Sequence, residues 1–179
     1  LFLNERIPEP ETLYDDYANR SAAAAEAAMR LGRDSRPTDL DASIPHWMEE
    51  DELRSWAYQR YIKKYLRVVA SIDDNVGRLL DRLDEMDLSD DTIVIYTSDQ
   101  GFFLGDHGWY DKRFFYEESL RMPMVVRYPA EIPAGTVNDD ITLNIDFPSL
   151  FLDYAGAGQP EKMQGRSFRP NLQGHTPED

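Results

Sequence analysis

A long helical pattern, a turn and an apolar run follow one another in this chain and constrain its fold more than any other feature. Residues 50–86 carry apolar side chains at spacings of three, four and seven, which form one face of a helix. That face contains Ile62, Leu66, Val69, Val76, Leu80 and Leu83. Residues 87–91 form a turn, and residues 92–97 are β-branched and aromatic, as in a buried strand. We therefore expect an α/β fold in which helices flank a mostly parallel sheet.

Composition excludes several classes of function. The chain has 179 residues, enough for one domain with its own core, and its net charge of −15 argues against nucleic-acid binding through a basic face. The sequence contains no cysteine, which excludes disulfides, thiolate metal sites and a cysteine nucleophile within it. No run approaches the length of a membrane span. The first residue is Leu1 rather than Met, so we expect a processed product or a piece of a longer protein.

Other segments have simpler patterns. Residues 11–31 include an alanine-rich run and should be partly helical, and residues 124–126 predict a second strand. Residues 146–154 predict a short helix with Asp146 as its cap and Pro148 in its first turn. Asp73 and Asp74 lie in the middle of the long helix, where we expect them to be solvated.

The first candidate site lies where the predicted strand ends, at Asp99 and Gln100. Ligands of open α/β sheets bind beyond the carboxyl ends of the strands. These two side chains offer oxygen ligands, which suit a hard cation such as Ca²⁺ or Mg²⁺. Ca²⁺ takes about six to eight oxygens, so further ligands must come from elsewhere. Gly101 would let the backbone approach a ligand closely. The alternative is an ordinary Asx-type turn.

The polar loop that follows supplies the other candidates. His107 could donate a proton or bind a substrate hydroxyl or a sulfate oxygen, the alternative being plain polar surface. Lys112 and Arg113 are an adjacent basic pair suited to an oxyanion, the alternative being ion pairs with neighbouring carboxylates. Aromatic residues follow directly, and we expect them to form core or a pocket wall. They are Phe114, Phe115 and Tyr116.

Residues 98–129, SDQGFFLGDHGWYDKRFFYEESLRMPMVVRYP, closely resemble the second signature region of type I sulfatases, within the alkaline-phosphatase-like superfamily. In that region a strand ends in TSD, followed by His, Asn or Gln and then Gly. A GDHG or GEHG, a Lys and YEES-R-P come next, before another strand. The order, the spacing and the flanking strands all match. The likeness extends outward over residues 56–172.

The resemblance implies specific roles. Asp99 and Gln100 would complete a Ca²⁺ site, Lys112 would contact the sulfate, and His107 would lie on the substrate or leaving-group side. We assign Arg113 and Asp106 to substrate binding. The family hydrolyses sulfate esters with formylglycine, which is made from the Cys or Ser of a C/S-x-P-x-R motif. Its hydrate attacks sulfur while the cation neutralises the sulfate oxygens, as a charged transition state requires.

The sequence departs from the family pattern because three of its motifs are missing. It lacks the C/S-x-P-x-R motif, the aspartate pair of the family's first strand and the expected histidine motif. We therefore expect the C-terminal portion of a catalytic domain, inactive alone, with the N-terminal half as its partner. Its parts would be a loop and helix lead-in (1–49), a core (50–129) and a C-terminal part (130–179). We expect three to five strands, exposed apolar surface and self-association into a homo-oligomer.

The substrate class follows from the same motifs. SDQGFF, GDHGW and DKRF are most similar to N-acetylglucosamine-6-sulfatases, which act on sulfated saccharides such as glycosaminoglycans and mucins. The resemblance implies a periplasmic, secreted or lysosomal location. One alternative is a phosphodiesterase or phosphonate monoester hydrolase of the same superfamily. Another is a non-catalytic, cation-dependent glycan-binding module. An acidic scaffold domain with no site would require the whole motif match to be accidental.

Overall fold

A computed structural model describes residues 1–177 and divides into two compact units. Unit 1 comprises Leu1–Leu79 and Gln100–Pro123, and unit 2 comprises Leu80–Asp99 and the described residues from Met124 onward. The helices are α1 (Ala22–Glu26), α2 (Pro37–Leu40), α3 (Glu50–Glu85), α4 (Glu117–Leu120), α5 (Phe147–Tyr154) and α6 (Arg169–Leu172). The strands are β1 (Val94–Thr97), β2 (Phe103–Leu104), β3 (Tyr110–Asp111) and β4 (Met124–Arg127). Within residues 1–177 the number of strands falls in the expected range.

Helix α3 confirms the helical prediction for residues 50–86, since it runs over 36 residues. Its first turn is acidic and Arg82 lies in its last turn, which places both charges favourably in the helix dipole. The helix ends in a Schellman motif around Asp87, which has a φ of 55°. Leu88 N–H donates to the Leu83 carbonyl at 3.0 Å, and Asp87 N–H donates to the Asp84 carbonyl at 3.1 Å. The predicted turn at residues 87–91 therefore begins at this helix end.

The first half of α3 forms the core of unit 1. Its buried side chains pack on side chains from the N-terminal segment and from α2. The cluster consists of Leu13, Leu31, Leu40, Ala57, Tyr58 and Ile62. Burial of large apolar side chains of this kind contributes about 1.5–3 kcal/mol each. In this half of the helix, the apolar face thus packs in a core, as predicted.

The later part of α3 leaves its apolar face uncovered. Val68, Ile72 and Leu79 are exposed, as is Val69, which the periodicity predicted to face a core. A groove of about 600 Å³ runs along this stripe within unit 1. Asp73 and Asp74 are exposed, as expected. Of the apolar face predicted from the periodicity, Val76, Leu80 and Leu83 are half-buried and Val69 is exposed.

Unit 2 is built on the antiparallel pair β1 and β4. Ile95 pairs with Val126, and both pack towards the cluster of Leu150, Phe168 and Leu172 from α5 and α6 and the residue before α6. The next cross-strand pair, Tyr96 and Val125, is exposed. Alternate residues of a strand point to opposite faces, so one face of this ribbon is covered and the other is open. The strand predicted in residues 92–97 forms at Val94–Thr97, but the prediction that it is buried was wrong.

The expected mostly parallel sheet is absent from residues 1–177, where both strand pairs, β1–β4 and β2–β3, are antiparallel. A parallel pair needs a crossover connection, usually a helix, between its two strands. The described chain supplies one helix–turn–strand unit, α3 to β1, and no second strand that follows a crossover. The α/β character of this segment was predicted correctly, and the direction of its strands was not.

Residues 11–31 are partly helical, as predicted, and their helix is Ala22–Glu26. Other residues of this segment pack in the two core clusters of unit 1. Helix α5 forms as predicted, but the Asp146 side chain does not cap it. Its carboxylate accepts from Leu143 N–H at 2.8 Å and from Arg166 N–H at 3.1 Å. The Asp146 carboxylate thus links residue 143 to residue 166 and does not accept from the N–H groups at the start of α5.

Among residues 1–177 we find no helix with the length and apolarity of a membrane span.

An ion-pair network around Glu131 connects distant segments of unit 2. The Arg169 guanidinium binds both carboxylate oxygens of Glu131, with Nε 2.7 Å from Oε1, and its Nη1 lies 3.2 Å from Asp153 Oδ1. Gln173 also donates to Glu131, at 2.8 Å. The hydrogen bonds from Arg169 are the main reason that the pKa of Glu131 lies below its ordinary value of 4.5. Two-donor arginine–carboxylate pairs of this kind fix geometry as well as charge.

We predict that Glu131→Gln lowers the melting temperature by about 2–4 °C at pH 7. The lowered pKa of Glu131 means that its stabilising contribution is present above pH 4.5 and is lost as pH falls through the folded-state pKa. The difference from wild type should therefore shrink to nothing in strong acid. Thermal unfolding followed by circular dichroism between pH 3 and pH 7 measures this. Glu161→Gln, at an exposed position, is the control, and an equal effect of both variants would refute the prediction.

Candidate active site

The polar loop predicted to carry the chemistry is a compact hairpin in unit 1. Strand β2 pairs antiparallel with β3, and a 3-10 turn, Asp106–Gly108, connects them. Gly105 N–H donates to the Trp109 carbonyl at 3.1 Å and closes the hairpin. The GDHG motif therefore lies at the tip of a hydrogen-bonded structure, which restricts where its side chains can point.

A segment from the N-terminal part of the chain, residues 29–31, forms backbone hydrogen bonds with this hairpin. Leu31 N–H donates to the Gly108 carbonyl at 2.8 Å, and Tyr110 N–H donates to the Met29 carbonyl at 2.9 Å. These two bonds flank an isolated antiparallel bridge. The segment that looked alanine-rich and helical in the sequence is thus a structural support for the candidate site.

Gly108 is required by this arrangement. Its φ is 68°, and a Cβ atom there would lie 2.8 Å from the Leu13 carbonyl oxygen. Any other residue would have to adopt a left-handed conformation and displace the backbone of the supporting segment. The last glycine of GDHG is therefore explained by packing within unit 1.

His107 is buried and contacts residues from two segments through its backbone and its side chain. Its N–H donates to Thr12 Oγ1 at 3.1 Å, and its carbonyl accepts from the Tyr17 hydroxyl. Its Nδ1 lies 2.9 Å from Asp15 Oδ2, and its Nε2 lies 3.8 Å from Glu118 Oε1. The alternative that His107 is plain polar surface was therefore wrong.

Aromatic rings surround the imidazole of His107. Its ring centroid lies 5.1 Å from that of Tyr116, 5.5 Å from that of Trp109 and 6.4 Å from that of Phe103. Trp109 is fully buried and stacks on Phe114 with the centroids 5.1 Å apart. Phe114 and Tyr116 thus form the wall predicted from the sequence. The apolar surroundings strengthen any charge interaction that His107 makes.

Asp15 is the carboxylate nearest to His107. Its burial alone would raise the pKa of the carboxyl group, but hydrogen bonds from Tyr17 N–H, His107 and Arg20 outweigh this and lower the pKa. Arg20 lies close to the same oxygen, with Nη2 2.9 Å from Asp15 Oδ2. Asp15 is therefore an ionised group in a largely enclosed position.

Lys112 and Arg113 are both exposed at the end of the hairpin. Arg113 pairs with Asp111 at 2.9 Å, which is the ion-pair alternative considered for it. Lys112 makes no ion pair within residues 1–177 and keeps its ammonium group open to a ligand. Phe115 is 92% exposed, contrary to the prediction of a wall residue. Tyr116 N–H donates to the Phe114 carbonyl at 2.9 Å, so the chain turns at Phe115 and the side chain at the turn lies outside the aromatic cluster.

Asp106 is half-buried next to Tyr58. Burial is the main cause of the raised pKa of the Tyr58 hydroxyl, and the negative charge of Asp106 adds to it. The Asp106 carbonyl accepts from Trp109 N–H at 3.0 Å. Its role in substrate binding stays a prediction.

The predicted cation ligands fall in different units: Gln100 begins the second segment of unit 1, and Asp99 ends the first segment of unit 2. Asp99 is exposed, and its carbonyl accepts from Asn144 Nδ2 at 2.9 Å. In the part of the chain that the structure describes, no group of three or more His, Asp or Glu side chains comes together as a metal site. The oxygen donors have the right chemistry for Ca²⁺, but their number is too small for a complete site.

Gly101 makes close contact with the protein's own backbone. Its N–H donates to the Ser119 carbonyl at 2.9 Å. A Cβ atom at Gly101 would lie 2.3 Å from the Glu118 carbonyl oxygen and 2.5 Å from the Arg121 carbonyl oxygen. The sequence indicated a close backbone approach at this position, but the partner here is α4 and its end, not a ligand.

The structure also adds residues that the sequence analysis did not select. Asp15, Tyr17 and Arg20 converge on His107 from a segment about ninety positions away, and Glu118 approaches from α4. The only sequence signal was the cluster of polar and aromatic residues in YDDYANR, at residues 14–20. Its contacts depend on the tertiary structure, so that pattern alone could not assign a role.

Comparison with known proteins shows which proteins the chain resembles. The C-terminal family profile of N-sulphoglucosamine sulphohydrolase matches residues 105–179. An N-acetylglucosamine-6-O-sulfatase of Bacteroides thetaiotaomicron is 38% identical over 100% of this chain and 40% of its own length. The chain is a relative of the sulfatases. This agrees with the resemblance carried by the GDHG and YEES motifs.

Solved structures agree with this sulfatase relationship. One, a complex with its substrate D-glucosamine-2-N,6-O-disulfate, has a TM-score of 0.88 and 37% identity, and the match covers 96% of this chain and 43% of that one. A phosphonate monoester hydrolase of Silicibacter pomeroyi is more distant, with a TM-score of 0.67 and 30% identity over 83% of this chain and 28% of that one. The chain thus spans less than half the length of these relatives.

We predict that Gly101→Ala destabilises the protein by about 1–3 kcal/mol, as overpacking usually does. The added methyl group has no space because three backbone groups surround it. Chemical denaturation measures the loss. Gly158→Ala is a matched control because a Cβ atom there meets nothing within 4 Å. If the two substitutions have the same small effect, the packing described for Gly101 is wrong.

Proposed function

We propose that this chain is part of a sulfuric ester hydrolase that removes sulfate from sulfated amino sugars. The observation that carries the proposal is the 38% identity to an N-acetylglucosamine-6-O-sulfatase across the whole chain. The similarity to a structure solved with a disulfated glucosamine supports the same substrate class. The chain covers 40% of that first relative, so the activity belongs to a longer protein in this proposal.

Lys112 is the residue of this chain that we assign to the sulfate. Its ammonium group is exposed and makes no ion pair within the described residues, whereas the neighbouring Arg113 is paired with Asp111. A compact cation stabilises the negative charge that develops on sulfate oxygens in the transition state. Arg113 and Asp106 would contact the sugar, and His107 would lie on its leaving-group side.

Asp99 and Gln100 would hold part of a Ca²⁺ or Mg²⁺ site, since both offer oxygen donors. The bound cation would neutralise sulfate oxygens, and formylglycine, from outside this sequence, would supply the nucleophile. The missing ligands would come from the same N-terminal half of the catalytic domain. That half would also cover the exposed apolar stripe of α3, which includes Val68, Ile72 and Leu79. An open stripe of this size otherwise favours self-association, so a homo-oligomer is the alternative cover.

Phosphonate monoester or phosphodiester hydrolysis is the second candidate function. The Silicibacter pomeroyi hydrolase supports it, with lower identity and a lower TM-score than the structure solved with the disulfated glucosamine. A tetrahedral oxyanion with developing charge is common to both reactions. A third candidate is a glycan-binding module without catalysis, which would bind a sulfated saccharide and release no sulfate.

The decisive assay measures sulfate release from N-acetylglucosamine-6-sulfate by the protein that contains the whole catalytic domain. We expect Lys112→Ala to lower kcat/KM by about 10²–10³-fold, as loss of one group that stabilises the transition state does. Lys162→Ala, at another exposed lysine of the chain, should keep wild-type activity. The assay is repeated with a phosphonate monoester and a phosphodiester.

Each result of this assay selects one candidate. Sulfate release that depends on Lys112 supports the sulfatase. Faster turnover of the phosphonate or the phosphodiester than of the sulfate ester replaces it with the second candidate. Saccharide binding without turnover in the whole protein favours the binding module.

We predict that chelation abolishes turnover of the sulfate ester and that Ca²⁺ or Mg²⁺ restores it. Asp99→Asn should weaken cation binding, because it removes the charge that binds a hard cation most strongly. The measurement is the cation concentration that gives half-maximal activity, which should rise by about tenfold or more in the variant. Asp139→Asn, at an exposed position of unit 2, is the control. A chelator-resistant enzyme would contradict the proposed cation site.

A further inference from the structure

His107 has two ring nitrogens in different surroundings. Nδ1 lies 2.9 Å from Asp15 Oδ2 and 3.1 Å from Arg20 Nη2. Nε2 lies 3.8 Å from Glu118 Oε1, beyond hydrogen-bond distance. The ring is packed by aromatic side chains, so these polar neighbours determine which nitrogen carries the proton.

The contacts of Nδ1 are compatible with only one arrangement. The carboxylate of Asp15 can only accept, so its short distance to Nδ1 requires a proton on Nδ1. Arg20 can only donate, and both its Nε, at 3.1 Å, and its Nη2, at 2.9 Å, bind the same Asp15 oxygen. The close approach of Arg20 to His107 follows from this shared acceptor. The arginine is therefore a second donor to Asp15 and not a donor to the imidazole.

Hydrogen bonds to the backbone of His107 hold it next to Asp15. The His107 N–H binds Thr12 and its carbonyl binds Tyr17, and these residues lie on either side of Asp15 in the sequence. Asp15 also accepts from the Tyr17 N–H at 2.8 Å. The carboxylate is thus fixed by its own turn and by Arg20 before it contacts the imidazole. Such pre-organisation lowers the cost of orienting a reactive ring.

We propose that Asp15 is a positioning residue that holds His107 in the Nδ1–H tautomer, so that the substrate meets His107 only at Nε2. The role of His107 in the reaction rests on the proposed sulfatase function, whereas the tautomer rests on the geometry of unit 1 alone. In this state a neutral Nε2 accepts a hydrogen bond from a sugar hydroxyl. Glu118 borders that side of the ring.

The test compares Asp15→Asn with wild type in the protein that contains the whole catalytic domain. Asparagine keeps the size of the side chain, but its amide can donate as well as accept, so a proton on Nδ1 is no longer required. Nitrogen-15 chemical shifts of labelled histidine report the tautomer directly, and His107→Gln identifies the resonance. We expect Nδ1–H in wild type, a larger Nε2–H population in Asp15→Asn, and a fall in kcat of about 10–100-fold with a much smaller change in KM.

Asp16→Asn is the matched control. Asp16 is exposed, and its carboxylate accepts from Ala18 N–H at 2.9 Å without reaching the histidine. It should leave both the His107 tautomer and kcat unchanged. Asp15→Ala is the second variant, and its melting temperature shows whether a lost activity reflects unfolding. In a folded Asp15→Ala protein, His107 should lose its preference for Nδ1–H.

Three results would overturn the proposal. Wild-type His107 could carry its proton on Nε2, or a folded Asp15→Ala protein could keep the wild-type preference for Nδ1–H. The tautomer could also change while kcat stays equal to that of the control. A protein that releases no sulfate from the saccharide contradicts the proposed function instead, because the tautomer measurement needs no substrate and still decides the role of Asp15.

Discussion

The candidate site depends on the pairing of residues 29–31 with the GDHG hairpin. Two backbone hydrogen bonds, to Gly108 and from Tyr110, attach the hairpin to this segment. Trp109 lies between these two residues in the sequence, and its side chain is fully buried. Trp109 stacks with Tyr17 on one side and with Phe114 on another. A hairpin with strands of two residues has little stability alone. The aromatic contacts and the third segment provide what its short ladder lacks.

This packing separates two kinds of polar residue. His107 and Asp15 are enclosed, where the low polarity of the aromatic cluster strengthens their interaction. Lys112 is exposed at the other end of the hairpin, where its charge is open to an anion. A single short element therefore presents both a fixed, oriented imidazole and a free cation. That division suits a reaction in which one group must be rigid and another must meet a charged ligand.

Much of the local structure could be predicted from sequence. The 36-residue helix, the turn after it, both flanking strands and α5 follow from periodicity, β-branched runs and turn residues. The same reasoning predicted the secondary structure correctly but failed to predict whether the apolar side chains are buried. Val69 has the correct helical spacing yet is exposed, and Tyr96 lies in a strand of which one face is open. Periodicity reports which side of an element is apolar, and it does not report what covers that side.

The sequence by itself indicated the resemblance to sulfatases, selected Asp99, Gln100, His107 and Lys112 as candidates, and predicted the strands on either side of them. These properties depend on local spacing and motif order, which a linear sequence records. Only the tertiary structure placed Asp15 against the imidazole and the backbone of α4 against Gly101. Both contacts join groups that are remote in sequence or depend on exact backbone paths. Such contacts are decided by packing and by hydrogen bonds formed after the chain folds, so no local pattern can encode them.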